Sequence, residues 1–437
     1  GLTRSRARGD NMRWTDAEVA AWKCCAEIVS ENGTTVNNPP FAVPTAIYSD
    51  QGELYTTLTV QQTRFDGPKS FNTRGYGATT AYGPTLYLKR GDWLRVDLEN
   101  SLDFPTSAFP YASDPKARVA KAIIDATGEC LPYGEPNVTS LHVHGLHTNV
   151  DGYGDYPLKM AHPQETVPYH LYVRPDHPTG TFWYHPHAKD SASLQEAGMM
   201  AGVLIVEDDA NAWPSSLSDM TDRVMLLQWV DSTTDAYHDF DNYTWLSKCS
   251  GSNMNTDIVD YGTAGDNFVV VNGQYLPEVD IGTGEYQRWR LVNAISHALL
   301  NITIIDDKGD AACEMWEIAA DGVYYANPRQ TDKVFVTLGG RKDVIVQCPH
   351  EGTYTMTSNA FTGKTIYYDP SEFSGSIAKI RVWQDDSTTS VALGRINLPS
   401  AGLYSKSLER ARIAENNKYT VTLANDDDSA SLWMTMN

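Results

Sequence analysis

Two histidine pairs at identical spacing, His142-Val143-His144 and His185-Pro186-His187, constrain the folding of this chain more than any other feature. They use four of its eleven histidines, and each lies in an apolar, aromatic stretch: Thr-Ser-Leu-His-Val-His-Gly-Leu-His and Gly-Thr-Phe-Trp-Tyr-His-Pro-His. In an extended strand, residues two apart project from the same face. Each pair therefore aims two imidazoles at one small volume. Two such strands side by side converge four neutral nitrogen donors, an arrangement that suits copper, zinc or iron. A lone His-x-His in a β protein more often marks a polar edge or a pair of satisfied histidines. Matching surroundings at both pairs favour a metal site here.

The rest of the composition narrows the setting. The 437 residues suggest two or three domains, and 41% hydrophobic residues suffice for packed cores. No apolar run reaches the length of a membrane-spanning helix. A formal charge of −21 argues against nucleic acid and anionic membrane surfaces as partners, because both repel it. Six cysteines (Cys24, Cys25, Cys130, Cys249, Cys313 and Cys348) occur without a Cys-x-x-Cys pair, and Asn-x-Ser/Thr sequons begin at Asn32, Asn137, Asn242 and Asn301. Together these favour a secreted, disulfide-bonded glycoprotein. The opening Gly-Leu-Thr-Arg has no apolar segment, so any export signal is expected to have been removed or to lie outside this sequence.

Along the chain, Thr15 and Glu18 form a capping box before a helix over Ala17–Val29, which carries Cys24 and Cys25. Beyond Asn-Asn-Pro-Pro near residue 40 the pattern turns to β. Strands are predicted at 53–62, on both sides of Lys89-Arg90-Gly91-Asp92 within 84–100, through both His pairs, at 166–174 and at 200–207. Residues 102–136 read as a polar insertion with a short helix near 116–124. A second series follows at 223–230, 267–272, 287–293, 299–305, 314–320, 333–348, 353–358 and 377–384. Many short strands separated by turn residues predict sandwiches. Cys313 and Cys348 flank strands of this second series and are candidates to pair.

Taken together, these residues resemble the multicopper oxidase superfamily, which includes laccases and ferroxidases. The likeness runs through Gly83-Pro84-Thr85 with Gly91-Asp92 and Asn100, both His pairs with Asp151-Gly152, and Gly198 to Val206. It continues through Val271-Asn272-Gly273-Gln274, Arg288 to Asn293, Asp321-Gly322 and Gly340-Arg341-Lys342-Asp343. It implies an all-β fold of consecutive cupredoxin-like Greek-key β-sandwiches behind an N-terminal helical extension. Residues 1–45 would form the extension, 46–210 the first sandwich, 211–385 the second, 386–415 a connector, and 416–437 the start of a third. It also implies copper: a type 1 ion taking electrons from substrate, and a trinuclear cluster of one type 2 and two type 3 ions reducing dioxygen to water. On this resemblance His142 corresponds to a type 2 ligand, and His144, His185 and His187 to type 3 ligands. Asp151 resembles an acidic residue that supplies protons at the cluster. Its bland reading is a turn aspartate before Gly152.

The chain departs from the family in supplying only four of eight cluster histidines. The late motifs, His-Pro-x-His-x-His-Gly and His-Cys-His-x-x-x-His, do not occur in it. After His187 only His238, His297 and His350 follow, each alone; Cys348-Pro349-His350 reads as an ordinary strand end rather than a copper site. Trp433 to Asn437 resembles the opening strand of a third sandwich. Two functional expectations follow. One is an oxidase that couples one-electron oxidation of a phenol, aromatic amine or low-valent metal ion to reduction of O2, with the third domain, and its type 1 copper, supplied beyond this sequence or by a separate chain. The other is a non-catalytic scaffold that serves in an extracellular assembly. A simple copper or zinc binder using the four histidines is a weaker third reading.

Overall fold

A computed structural model describes residues 38–68, 71–77, 80–103, 137–188, 191–230, 267–295, 298–359, 371–385, 391–399, 421–425 and 432–436. The helices expected at 17–29 and 116–124, and Cys24, Cys25, Cys130 and Cys249, lie outside the described residues. The first half carries β1 (Ala46–Tyr48), β2 (Glu53–Phe65), β3 (Phe71–Gly75), β4 (Thr85–Leu88), β5 (Trp93–Asn100), β6 (His142–His144), β7 (Thr166–Tyr172), β8 (Gly180–His185) and β9 (Gly202–Val206). One short helix, α1 (Ala192–Ala197), stands between β8 and β9.

These strands form a four-stranded sheet, β3-β2-β5-β7, and a five-stranded sheet, β1-β4-β9-β8-β6. Alternation explains the first of them. In β5, Leu94, Val96, Leu98 and Asn100 are buried while Trp93, Arg95, Asp97 and Glu99 face outward. The buried faces of the two sheets meet through Leu54, Leu58, Leu94, Leu98, Leu171, Tyr184 and Leu204. Each fully buried leucine contributes roughly 1.5–3 kcal/mol. The turn at Lys89–Asp92 carries the chain from one sheet to the other, and Lys89 N–H donates to Asp92 Oδ2 (2.7 Å) to hold it.

The second half carries β10 (Thr221–Val230), β11 (Phe268–Val271), β12 (Gln274–Tyr275), β13 (Glu278–Gly282), β14 (Gln287–Asn293), β15 (Ala298–Ile305), β16 (Glu314–Ala320) and β17 (Val323–Thr331). It continues with β18 (Val334–Val336), β19 (Arg341–Gln347), β20 (Gly352–Ser358), β21 (Ser371–Glu372) and β22 (Gly375–Trp383). A seven-stranded sheet, β12-β11-β10-β14-β19-β16-β17, faces a six-stranded path that includes β13-β22-β20-β15-β18. The run predicted at 333–348 is in fact two strands in different sheets, separated by a turn in which Gly340 N–H donates to Thr337 O (2.9 Å). Cys313 and Cys348 are bonded. They join the start of β16 to the end of β19 across 35 residues, a closure that stabilises by about 3–4 kcal/mol on the loop-entropy account. Cys348 is therefore not a thiol donor beside His350. Farther on, β23 (Val421–Asn425) pairs antiparallel with β24 (Leu432–Met436).

Strands β8 and β9 are buried on both faces because the five-stranded sheet also packs on the seven-stranded one. Trp183, Val203 and Ile205 meet Val224, Leu226, Val292 and Ala294 there. A buried ionic network crosses the same junction. Asp343 accepts from Thr181 Oγ1 (2.7 Å) and pairs with Arg288 and Arg290. Arg290 also pairs with Asp222 (2.7 Å), and Arg288 with Asp208 (2.8 Å), which accepts from Tyr324 and Trp213 as well. These carboxylates hold both guanidiniums charged in spite of burial. The network ties Thr181 of β8, the strand that ends at His185, to β14 and β19.

Candidate metal centre

Strands β6 and β8 are antiparallel neighbours, with His142 opposite His185 and His144 opposite Trp183. The two-residue period then places His142, His144, Trp183 and His185 on one face. Ligand atoms of His142, His144 and His185 all lie within 4.8 Å of one another. His144 Nδ1 is 3.3 Å from His185 Nε2. His187, beyond Pro186 and past the strand end, completes the group from the solvent side, with its ring centroid 5.0 Å from that of His142 and 5.9 Å from that of His185. Its backbone N–H is anchored on Ser140 Oγ (2.9 Å).

Two carboxylates set the rings. His142 Nδ1 meets Asp155 Oδ2 at 2.9 Å, and His185 Nδ1 meets Glu196 Oε1 at 2.6 Å and Pro186 O at 2.9 Å. A carboxylate only accepts, so each Nδ1 carries a proton, and the ring orientation leaves each Nε2 as the atom available to a metal. Such carboxylate–imidazole pairs orient metal ligands and raise their basicity. Asp155 and Glu196 are themselves mostly buried, so little water intervenes between these acceptors and the rings. Burial, followed by the charges of Arg341 and the neighbouring histidines, lowers the His144 pKa from 6.5 to about 3, leaving it a neutral donor at pH 7. Neutral, tautomer-fixed nitrogen donors in one small volume fit copper.

The indole of Trp183 stacks on His185 (centroids 4.2 Å apart, 25°) and on His144 (4.9 Å, 26°). Its Nε1–H donates to Gly339 O (3.2 Å), so the turn before β19 forms a wall of the site. Asp155→Asn is expected to weaken metal binding by about 10–100-fold with little change in fold, because the neutral amide no longer enforces the His142 tautomer. Competition with a chromophoric chelator measures this, and an unchanged affinity would remove Asp155 from the site.

Asp151 is not brought to the histidines. It is exposed on a turn, where its carbonyl accepts from Gly154 N–H (2.7 Å), and Asp155, four residues on, reaches His142 instead. Sequence reasoning also missed Glu196, on a one-turn helix with no motif, and Trp183 and Arg341 as neighbours of the rings. Only the Trp-Tyr-His spacing around Trp183 carried a readable signal.

Among the other histidines, His147 is exposed and its backbone N–H donates to His177 Nε2 (2.9 Å). His177 is buried against Phe182, and its Nδ1–H donates to Pro178 O (2.7 Å). Burial lowers its pKa from 6.5 to about 4; Pro178 and Asp176 oppose that shift, while His147 and Arg90 add to it. Below pH 6.5 the unfolded chain takes up a proton at this residue that the folded chain refuses until about pH 4. Stability is therefore lost as pH falls through that window. Urea midpoints should decline from pH 7 to pH 4, and a folded His177→Gln variant should decline less steeply; equal slopes would contradict the assignment. His238 and His297 lie outside the described residues, and His350 is exposed.

Paired sandwiches that bring His142, His144 and His185 together at one candidate metal centre define a cupredoxin-like β protein. Two family models, each of multicopper oxidases, match residues 134–211 and 227–370, together just over half of the sequence. The chain belongs to the multicopper oxidase family. It is 25% identical over 294 residues to Multicopper oxidase mco of Staphylococcus aureus, covering 66% of this chain and 52% of that protein. It is 24% identical over 275 residues to Laccase-3 of Thanatephorus cucumeris, covering 62% and 40% respectively. The chain thus spans about half the length, or less, of these curated relatives. Among solved structures, McoA multicopper oxidase from Aquifex aeolicus in its 2F4 variant superposes with a TM-score of 0.58 at 16% identity, over 83% of this chain and 68% of that one. A multicopper oxidase from Campylobacter jejuni described as a metallo-oxidase gives 0.54 at 18%, over 83% and 63%. These likenesses establish the fold: nearly all-β, with consecutive cupredoxin-like sandwiches.

Proposed function

We propose that this chain is part of a copper-dependent oxidase that couples one-electron oxidation of a phenol, an aromatic amine or a low-valent metal ion to four-electron reduction of O2 to water. The observation that carries the proposal is the convergence of the His142, His144 and His185 donor atoms within 4.8 Å of one another, with carboxylates on the reverse nitrogens of two rings. His142 would hold a type 2 ion, and His144, His185 and His187 would contribute to type 3 ions, half of a trinuclear set. When bound, copper supplies one-electron redox chemistry and a binding place for dioxygen. The protein's own contribution is to present neutral Nε2 lone pairs, to hold protons at His142 Nδ1 and His185 Nδ1, and to exclude water from one side with Trp183. The proton-supplying role implied for Asp151 falls more naturally to Asp155, the carboxylate in contact with the site.

The remaining ligands and the type 1 copper belong, in this reading, to a third cupredoxin domain, on the same polypeptide or a separate one. The domain partition at about residues 210 and 385 is part of the same proposal. Val150, Tyr153, Tyr156 and Leu158, exposed on the loop that carries Asp155, offer apolar surface for such a neighbour. A secreted location is supported by the Cys313–Cys348 bond. The sequon at Asn137 does not support glycosylation there, because that side chain is buried, donates to Asp103 O (2.8 Å) and accepts from Arg74 (2.8 Å).

The alternative is a scaffold that retains the sandwiches without turnover. Oxygen uptake separates the two. The copper-loaded protein, encoded by the whole reading frame and assayed with a phenol, an aromatic amine and Fe(II), is expected to consume O2 in a manner abolished by His185→Ala. Copper-loaded protein that consumes none with any of the three would leave the scaffold reading.

A further inference from the structure

Arg341, the first residue of β19, places a buried cation against a site built to bind cations. Its side chain is 5% exposed. Nε–H donates to Thr181 O (3.3 Å) and Nη1–H to Gly339 O (3.0 Å). Carbonyls satisfy hydrogen bonds without neutralising charge. The carboxylate paired with it, Asp321, is 3.4 Å away and 61% exposed, so water shares that interaction. Asp343, two residues on, also attracts it, but that carboxylate is shared with Arg288 and Arg290, which it pairs directly. A guanidinium does not shed its proton under these conditions. The positive charge is therefore fixed and only partly offset.

The position of that charge is also specific. A side-chain carbon at Gly145, next to His144, would collide with the Arg341 guanidinium, and Gly145 has a φ of +87° that favours glycine. On the other side, a carbon added at Gly339 would lie 3.0 Å from His144 Cε1 and 3.4 Å from Trp183 Cζ2. Gly339 O accepts from both Arg341 and Trp183. One carbonyl thus pins the cation and the indole that stacks on His144 and His185.

We infer that Arg341 is a specificity-determining residue that biases the histidine site toward copper of lower charge, Cu(I) over Cu(II). The inference rests on the copper reading of the site and deepens it. A fixed positive charge opposes a bound cation in proportion to that cation's charge, so it penalises Cu(II) about twice as much as Cu(I). Asp155 and Glu196 draw either ion in, and Arg341 sets how strongly the second charge is resisted. A purely structural role, holding the Thr337–Gly340 turn, would change both affinities alike.

The test uses three folded proteins: wild type, Arg341→Gln, which keeps hydrogen bonding and loses charge, and Arg341→Lys, which keeps charge and loses the fork. Cu(II) and, under anaerobic conditions, Cu(I) affinities are measured by chelator competition, with circular dichroism confirming the fold. Arg341→Gln is expected to raise the Cu(II)-to-Cu(I) affinity ratio about tenfold or more, and Arg341→Lys to leave it within about twofold of wild type. An unchanged ratio in Arg341→Gln, or the same shift in Arg341→Lys, overturns the inference while leaving the copper site intact. Wild-type chain that binds neither ion would instead overturn the copper reading, and the inference with it.

Discussion

Replacing His142 and His185 together with alanine is expected to lower copper affinity by more than about a hundredfold, beyond the ~10–100-fold cost of losing one carboxylate partner. The two residues face each other across the β6–β8 pair, and both belong to the group whose donor atoms lie within 4.8 Å of one another. Removing them leaves His144 and the exposed His187, too few donors to hold an ion in fixed geometry. Fold stability should fall mainly through His185, which is buried and leaves Glu196 without its partner, and little through His142, which is partly buried at the edge of its sheet. Metal content after dialysis, measured by mass spectrometry alongside thermal melts, reads both quantities. Wild-type copper stoichiometry in a folded double variant would remove the site from these strands.

The largest effect on stability is expected at Asp343. Its carboxylate is 2% exposed and is shared by Arg288 and Arg290, which are 3% and 5% exposed. Asp343→Ala leaves two buried guanidiniums short of a counter-charge and Thr181 Oγ1 short of its acceptor. Breaking a buried pair from one side costs about 3–5 kcal/mol. Asp208 and Asp222 remain as partial compensation, which places the expected loss toward the lower end of that range. Urea unfolding measures it, and a loss below about 1 kcal/mol would show that the network contributes little net stability. Because Thr181 lies on the strand that ends at His185, the same variant should also loosen metal binding.

Both predictions concern residues that differ in how far sequence reveals them. The first histidine pair was legible because its geometry is local: a period of two on β6 puts His142 and His144 on one face, whereas of the second pair only His185 lies on β8 and His187 follows beyond the strand end. Buried or clearly alternating strands were legible for the same reason, as in β5, β14 and β16. The strands that were missed are largely edges. β1, β3, β13 and β17 each end a sheet path. β17 contains Asn327 and Pro328, residues that argue against a central strand and are tolerated where no neighbour needs the missing N–H. The α1 helix was missed because six residues carry too little periodicity, and with it went Glu196.

By itself, then, the sequence determined an all-β chain with two His-x-His segments able to share a common volume, and the family whose motifs those segments carry. Tertiary structure alone decided that Asp155 rather than Asp151 reaches His142, that Glu196 orients His185, and that Trp183 and Arg341 enclose the rings. The physical reason is range. Side-chain alternation is a property of neighbouring residues, whereas the Trp183–Gly339 and Thr181–Asp343 contacts join positions more than 150 residues apart. Contacts of that kind exist only once two sheets have packed.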